Sequence, residues 1–188
     1  MKLNAYNLKC LTDLGVNIPE LGCVMLDVEP LDIKGAIPTE WAYASQDPNL
    51  RHVSGIQTKA HITLLFGLLH NANAIRPAID EVLDGWEPGD VHTQNITAFP
   101  SPMVDEPYSC IIAEIQLTPA ISDAHARLSL LPHIDTHPTY RPHLTIAYVH
   151  KDRGRDAIDA VRRALGTRDI FTHVKLEPIG LNYGKPVS

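Results

Sequence analysis

Residues 61–67 read His61-Ile62-Thr63-Leu64-Leu65-Phe66-Gly67, and residues 143–149 read His143-Leu144-Thr145-Ile146-Ala147-Tyr148-Val149. Each runs His, apolar, Thr, apolar, apolar, aromatic. Both are short apolar runs with the look of buried strands. Side chains alternate along a strand, so residues i and i+2 share a face. Each segment must then present an imidazole beside a hydroxyl on one face and an apolar surface on the other. Two imidazoles can act as one base and one acid, and two hydroxyls can hold phosphate oxygens. The pair points to an enzyme.

The rest of the chain supplies a frame for two such strands. A first helix is expected over residues 5–15 and a first buried strand over 22–28. Residues 29–58 are rich in Pro, Asp, Asn and Gly, with one turn of helix near Thr39–Tyr43, and a connection of this length is often functional. After the strand 61–68, Asn73 is expected to cap a helix reaching Val82 or Leu83. Strands follow over 91–99 and 108–117, joined by a Pro-rich turn at 100–107. On the second of these, Cys110, Ile112, Glu114 and Gln116 share one face. A helix from Ser122 to about Leu131, a loop over 132–142, the strand 143–150 and an amphipathic helix over 155–165 come next. A strand over 173–182 closes the chain, with Pro178 confined to an edge or a bulge. Strands and helices in this order describe an α+β fold in which helices back antiparallel or mixed sheets. Each half contributes one H-x-T strand, so two lobes related by pseudo-symmetry are expected within a single domain.

The tripeptide alone carries little weight. A third copy, His137-Pro138-Thr139, lies in a Pro-rich loop where its side chains need not share a face. Strand context separates the other two from it. Among the ten histidines, His133 and His137 have helical ligand spacing, but Pro132 and Pro138 bracket them and no carboxylate or Cys cluster stands nearby, so no metal is expected. His70, His92, His125, His150 and His173 have no partner by spacing.

Hydrophobic residues make up 44% of the 188, enough for a core without staples, and the net charge is −6. Acidic residues interleave with Arg153, Arg155, Arg162, Arg163 and Arg168. That balance suits a small anionic substrate in one cleft rather than a long nucleic acid. No apolar run approaches a membrane span, and residues 1–6 lack the apolar stretch of a signal peptide. Cys10, Cys23 and Cys110 are odd in number and widely spaced, which favours reduced thiols and a cytoplasmic setting. The oligomeric state is not legible.

Together the two motifs resemble the two-histidine phosphoesterase superfamily, which includes LigT-like proteins and 2′,3′-cyclic nucleotide phosphodiesterases. The Phe-Gly that ends His61–Gly67 and the Pro that precedes His143 are family features, and the resemblance covers roughly residues 22–183. It implies a bilobal fold with two antiparallel or mixed sheets and one H-x-T strand per lobe, residues 1–20 being a helical extension. It also implies His61, Thr63, His143 and Thr145 as catalytic residues and phosphodiester chemistry with no cofactor. The working assignment is His61 as base and His143 as acid, with roles that exchange with reaction direction. Many LigT-like members carry Arg three residues after the second Thr, where this chain has Tyr148, a candidate for substrate binding at that place. Arg141 and Lys59, each two residues before a catalytic His, are candidates by position for the missing cation. Trp41 and Tyr43, on the long loop, are candidates for stacking on a base. The expected substrate is a small cyclic or short oligonucleotide, compatible with viral enzymes of this family that degrade cyclic defence signals in a host cytoplasm. An RNA 2′,3′-cyclic phosphate or 2′,5′ linkage is the second reading. A nucleotide-sequestering protein without turnover is the third.

Overall fold

A computed structural model describes residues 21–47, 50, 53–135, 139–166 and 173–184. The expected helix over 5–15 lies outside them. Seven strands and three α-helices are described: β1 (Gly22–Val28), β2 (Ala60–Leu68), α1 (Arg76–Val82), β3 (Val91–Pro100), β4 (Tyr108–Ile115), α2 (Pro119–Leu128), β5 (His143–His150), α3 (Gly154–Ala164), β6 (Lys175–Leu176) and β7 (Pro178–Gly184). A 3₁₀ turn, Thr39–Trp41, occurs in the long connection before β2.

The α+β class holds, and all strand pairs are antiparallel. The expectation of two sheets is corrected. The strands form one sheet in the order β6-β3-β4-β5-β2-β1-β7. Its two halves, β3-β4-β5 and β2-β1-β7, join at the centre through one residue pair, Ile62 with Leu144. So slender a seam hydrogen-bonds the two halves into one sheet.

The closing strand also differs from expectation. It breaks at Glu177 into β6, which pairs with β3, and β7, which pairs with β1 on the opposite edge. Strand residues rise only about 3.3 Å each, so Leu176 and Pro178 bring the outer edges of the sheet close together at one corner. Thr93 N–H donates to Val174 O and Glu29 N–H to Glu177 O, both at 2.9 Å, stitching that corner. Pro178 sits on the edge strand at a register shift opposite Val28, as a residue without an N–H requires.

Helix ends follow local chemistry. Pro119 opens α2 three residues earlier than expected, because Thr118 Oγ1 accepts the Ile121 N–H at 3.2 Å as an N-cap. Asn73 does not cap α1. The Asn71 carboxamide accepts the Asn73 N–H in a preceding turn, Asn73 donates to Tyr183 O, and the helix starts at Arg76 with Pro77 in its first turn. A side chain at Gly154 would place Cβ 2.8 Å from Ser109 Oγ, so glycine lets the start of α3 lie directly against β4.

One face of the sheet carries the main core. Val24, Leu26, Ile62, Leu64, Ile96, Ile111, Ala113, Leu144 and Ile146 pack there with Ile79 of α1, Ile121, Ala124 and Leu128 of α2, and Ala157 and Val161 of α3. A smaller cluster of Val53, Tyr108, Cys110 and Ile112, with Tyr43, Leu50, Phe99 and Tyr148 against it, occupies part of the opposite face. The alternation expected along β4 is therefore observed: Ile111, Ala113 and Ile115 join the helix side, while Cys110 and Ile112 join the other.

Candidate active site

The face opposite the helices carries all four H-x-T residues. Ile62 and Leu144 pair at the centre and point into the core. Because side chains alternate along each strand, His61 and Thr63 on β2 and His143 and Thr145 on β5 all point to the other face, on either side of that pair. The four side chains thus share one face of the two central strands, with the two imidazoles near enough to interact.

Both strands then carry a β-bulge at the same place. β1 pairs Met25 with Thr63 and next Val24 with Leu65, skipping Leu64. β4 pairs Ile112 with Thr145 and next Ile111 with Ala147, skipping Ile146. The extra residue reverses the alternation. Strict alternation would send the aromatics into the core. Instead Phe66 pairs with Cys23 and Tyr148 with Cys110 on the site face.

Each histidine has a carboxylate on the neighbouring strand. Asp27 of β1 pairs with His61, and Glu114 of β4 pairs with His143. Each carboxylate meets an asparagine from the third strand of its half. Asn182 Nδ2 donates to both Asp27 oxygens at 3.2 and 3.1 Å, and Asn95 Nδ2 donates to Glu114 Oε2 at 3.5 Å. Arg141 is bonded to Glu114 as well, and its guanidinium lies 5.0 Å from the centre of the Phe99 ring. Phe99 meets His143 edge-on with ring centres 5.0 Å apart.

The two imidazoles differ in setting. Burial holds His61 below the ordinary imidazole range. Asp27 pulls it partly back up, and the nearness of His143 pushes it down again. His61 is thus neutral at pH 7 and able to accept a proton, and the two rings are close enough to repel when charged. In His143, Nδ1 lies 2.8 Å from Arg141 O. A carbonyl can only accept, so Nδ1 carries the hydrogen in this contact.

The threonines have matched neighbours too. Burial pushes the Cys23 thiol up to about 12, with a hydrogen bond to Thr63 acting the other way. It pushes Cys110 up to about 11, opposed by hydrogen bonds to Thr145 and Tyr148. Both sulfurs are therefore protonated near neutrality. Tyr140 O–H donates to Thr63 O at 3.0 Å, anchoring the approach to β5 against β2.

The candidates for substrate contact separate into two groups. Arg141 stands beside His143 through Glu114 and Phe99. Lys59 is exposed and lines an open cavity of about 360 Å³ together with Lys34, Gln57, Ala60 and Thr145. Tyr148 packs edge-on against Tyr108 at 5.5 Å, and burial raises its phenol well above the ordinary range. Tyr43 donates to Glu106 at 2.7 Å and contacts the rings of Tyr108 and His150. His150 lies seven residues along β5 from His143, roughly 23 Å at strand rise, so Tyr43 is remote from the imidazole pair. Trp41 packs against the main core with Arg153 over its ring. Neither loop aromatic meets the four motif residues. His137 of the third copy lies outside the described residues, and His133 bonds locally to Leu131 O and Asp135. Among the described residues no group of three His, Cys, Asp or Glu is placed to hold a metal ion.

Sequence reasoning missed Asp27, Asn182, Asn95, Phe66 and Phe99 as neighbours of the site. Asp27 had a legible signal, as the one charge inside the apolar run 22–28. Phe66 had none, because the bulge that turns it is set by pairing.

The model of the 2′-5′ RNA ligase superfamily matches residues 41–177. Among solved structures, Usb1 of Kluyveromyces marxianus matches at 9% identity with a TM-score of 0.48, covering 88% of this chain and 93% of that one. The same protein with uridine monophosphate matches at 11% identity with a TM-score of 0.42, covering 77% and 82%. A search of curated proteins finds no match. With the family model spanning most of its length, the chain belongs to the 2′-5′ RNA ligase superfamily, the LigT-like two-histidine phosphoesterases that its paired H-x-T strands resemble.

Proposed function

We propose that this protein is a metal-independent phosphodiesterase of short RNA or small ribonucleotides, working by acid–base catalysis between His61 and His143. The observation that carries this reading is the central register of β2 and β5, in which Ile62 faces Leu144. It supports two imidazoles and two hydroxyls acting together from one face of the sheet on one phosphate. In the cleavage direction His61 takes the proton of the free neighbouring ribose hydroxyl, the 2′-hydroxyl of a 3′,5′ linkage or the 3′-hydroxyl of a 2′,5′ linkage, as that oxygen attacks phosphorus. The bond from phosphorus to the leaving oxygen breaks, and His143 Nε2 gives that oxygen a proton. Thr63 and Thr145 donate to the non-bridging oxygens as charge builds on them. Opening of a 2′,3′-cyclic phosphate by water uses the same groups with roles exchanged.

Family membership supports an RNA-type 2′,5′ or 2′,3′ phosphodiester as substrate. Nothing among the described residues favours a cyclic defence signal over it, and the loop aromatics Trp41 and Tyr43 lie away from the site. A sequestering protein would not need an acid–base pair. The test is turnover, with EDTA present, of a panel holding 2′,3′-cyclic nucleotides, 2′,5′- and 3′,5′-linked oligoribonucleotides and cyclic dinucleotides. The expected result is turnover of the first two classes unaffected by EDTA, with His61→Ala and His143→Ala each losing on the order of 10²–10⁴-fold. Loss in EDTA would defeat the metal-free mechanism, and binding without turnover would favour sequestration.

A further inference from the structure

We propose that Asp27 and the Glu114–Arg141 pair are positioning residues that give the two imidazoles opposite tasks, making His61 the proton acceptor and His143 the donor in the cleavage step. This assignment rests on the phosphodiesterase reading for its chemistry but on the strand register for its geometry.

The two carboxylates hold equivalent places. Each stands directly across from its histidine, on the strand one further from the centre, and each receives an asparagine from the strand beyond. Directly opposite side chains on a sheet have Cβ atoms roughly 4.5–5.5 Å apart, within the range where one charge stabilises another.

Their charge balance differs. Glu114 is ion-paired with Arg141. Asp27 has no ion pair among the described residues, and Asn182 grips both its oxygens without neutralising them. The groups facing His61 are therefore Asp27 from β1 and His143 from β5, with exposed Lys59 two residues before it on the chain. Among the described residues, those facing His143 include Glu114 from β4, Arg141 from the lead into β5, the Phe99 ring from β3 and His61 from β2. When a proton moves from a 2′-hydroxyl to His61, positive charge appears beside an unbalanced carboxylate and is stabilised there. On the other side, Glu114 supports a charged His143 before reaction, while Arg141 tempers that support so the proton can leave with the departing oxygen. No proton is left over: one enters at His61 and one departs from His143.

The test is a titration of both imidazoles by heteronuclear NMR in the full-length protein, run beside pH–rate profiles on a labelled hexauridylate. In Asp27→Asn, His61 should titrate at lower pH than in wild type while His143 stays in place. In Glu114→Gln, His143 should titrate at lower pH, in Arg141→Gln at higher pH, and in the double variant near wild type. Kinetically, Asp27→Asn should lose about tenfold in kcat with KM unchanged, and the acid limb of its profile should move to lower pH. Asp27→Ser serves should Asp27→Asn fail to fold. A His61 titration unmoved in both Asp27 variants would overturn the proposal. The NMR arm decides this even for a protein that never cleaves RNA, an outcome that would defeat only the phosphodiesterase reading. Cleavage that needs both histidines but keeps its profile without Asp27 would defeat only this inference.

Discussion

The half-site on β1, β2 and β7 and the half-site on β3, β4 and β5 share nearly every backbone device. Both place His and Thr on alternate positions of an inner strand. Both bulge one residue after the Thr, at Leu64 and Ile146. Both set a buried cysteine against the Thr and a carboxylate against the His. They diverge in the side chains that complete them. His61 is set among burial, a carboxylate with no ion pair among the described residues and the other imidazole. His143 has its Nδ1 fixed to a backbone carbonyl, a phenyl edge beside it and a carboxylate already joined to Arg141. The lesson is a division of labour. What is symmetric suits a group with two equivalent oxygens, as a phosphate has. What is asymmetric suits a reaction that moves protons in one direction.

The largest test of the symmetric part is removal of each hydroxyl. Thr63→Val and Thr145→Val should each lower kcat by roughly 100-fold, the scale of one lost donor to a developing oxyanion. A large loss at one and none at the other, in steady-state assays, would break the claim that the two grip equivalent oxygens.

The asymmetric part predicts the pH profile. Because burial lowers the His61 pKa, its neutral form persists to lower pH than a free imidazole, so the acid limb of kcat/KM should fall below the usual histidine range. His143→Ala removes a repelling neighbour, so the residual His61 titration should move to higher pH, which NMR reads directly.

A smaller effect is expected at the thiols. Cys23→Ala and Cys110→Ala each remove a buried sulfur beside a threonine, and each should cost about 1 kcal/mol of stability by denaturant unfolding. Near-equal losses would sharpen the symmetry. Loss of stability at one only would show that the halves share a register but not a packing.

The sequence reading reached the candidate site by the route that physics makes legible. Period-two alternation identified β2, β4 and β5, and it put His61 with Thr63, His143 with Thr145, and Cys110 with Ile112. It could not show how strands pair. Hydrogen bonds between distant strands leave no local pattern, so the single sheet, the split of 173–182 across two edges and the Asp27–His61 juxtaposition emerge only from topology. The bulges broke alternation after Thr63 and Thr145, which is why Phe66 and Tyr148 face the site although strict counting buries them. Trp41 and Tyr43 were chosen for chemistry on a long loop. Tyr43 instead packs where Tyr108 and His150 offer partners, and Trp41 closes part of the core. The Arg that many relatives carry is replaced by Tyr148 within an apolar cluster, and Arg141, held through Glu114, is a cation beside His143.

The central claim is that the two H-x-T strands form one acid–base site. A double-mutant cycle on His61 and His143, with EDTA present and an oligoribonucleotide as substrate, tests it most directly. Groups that act as a unit are strongly non-additive, so His61→Ala, His143→Ala and the double variant should lose similar factors in kcat. Losses that multiply in the double variant, or full activity in either single one, would contradict the claim.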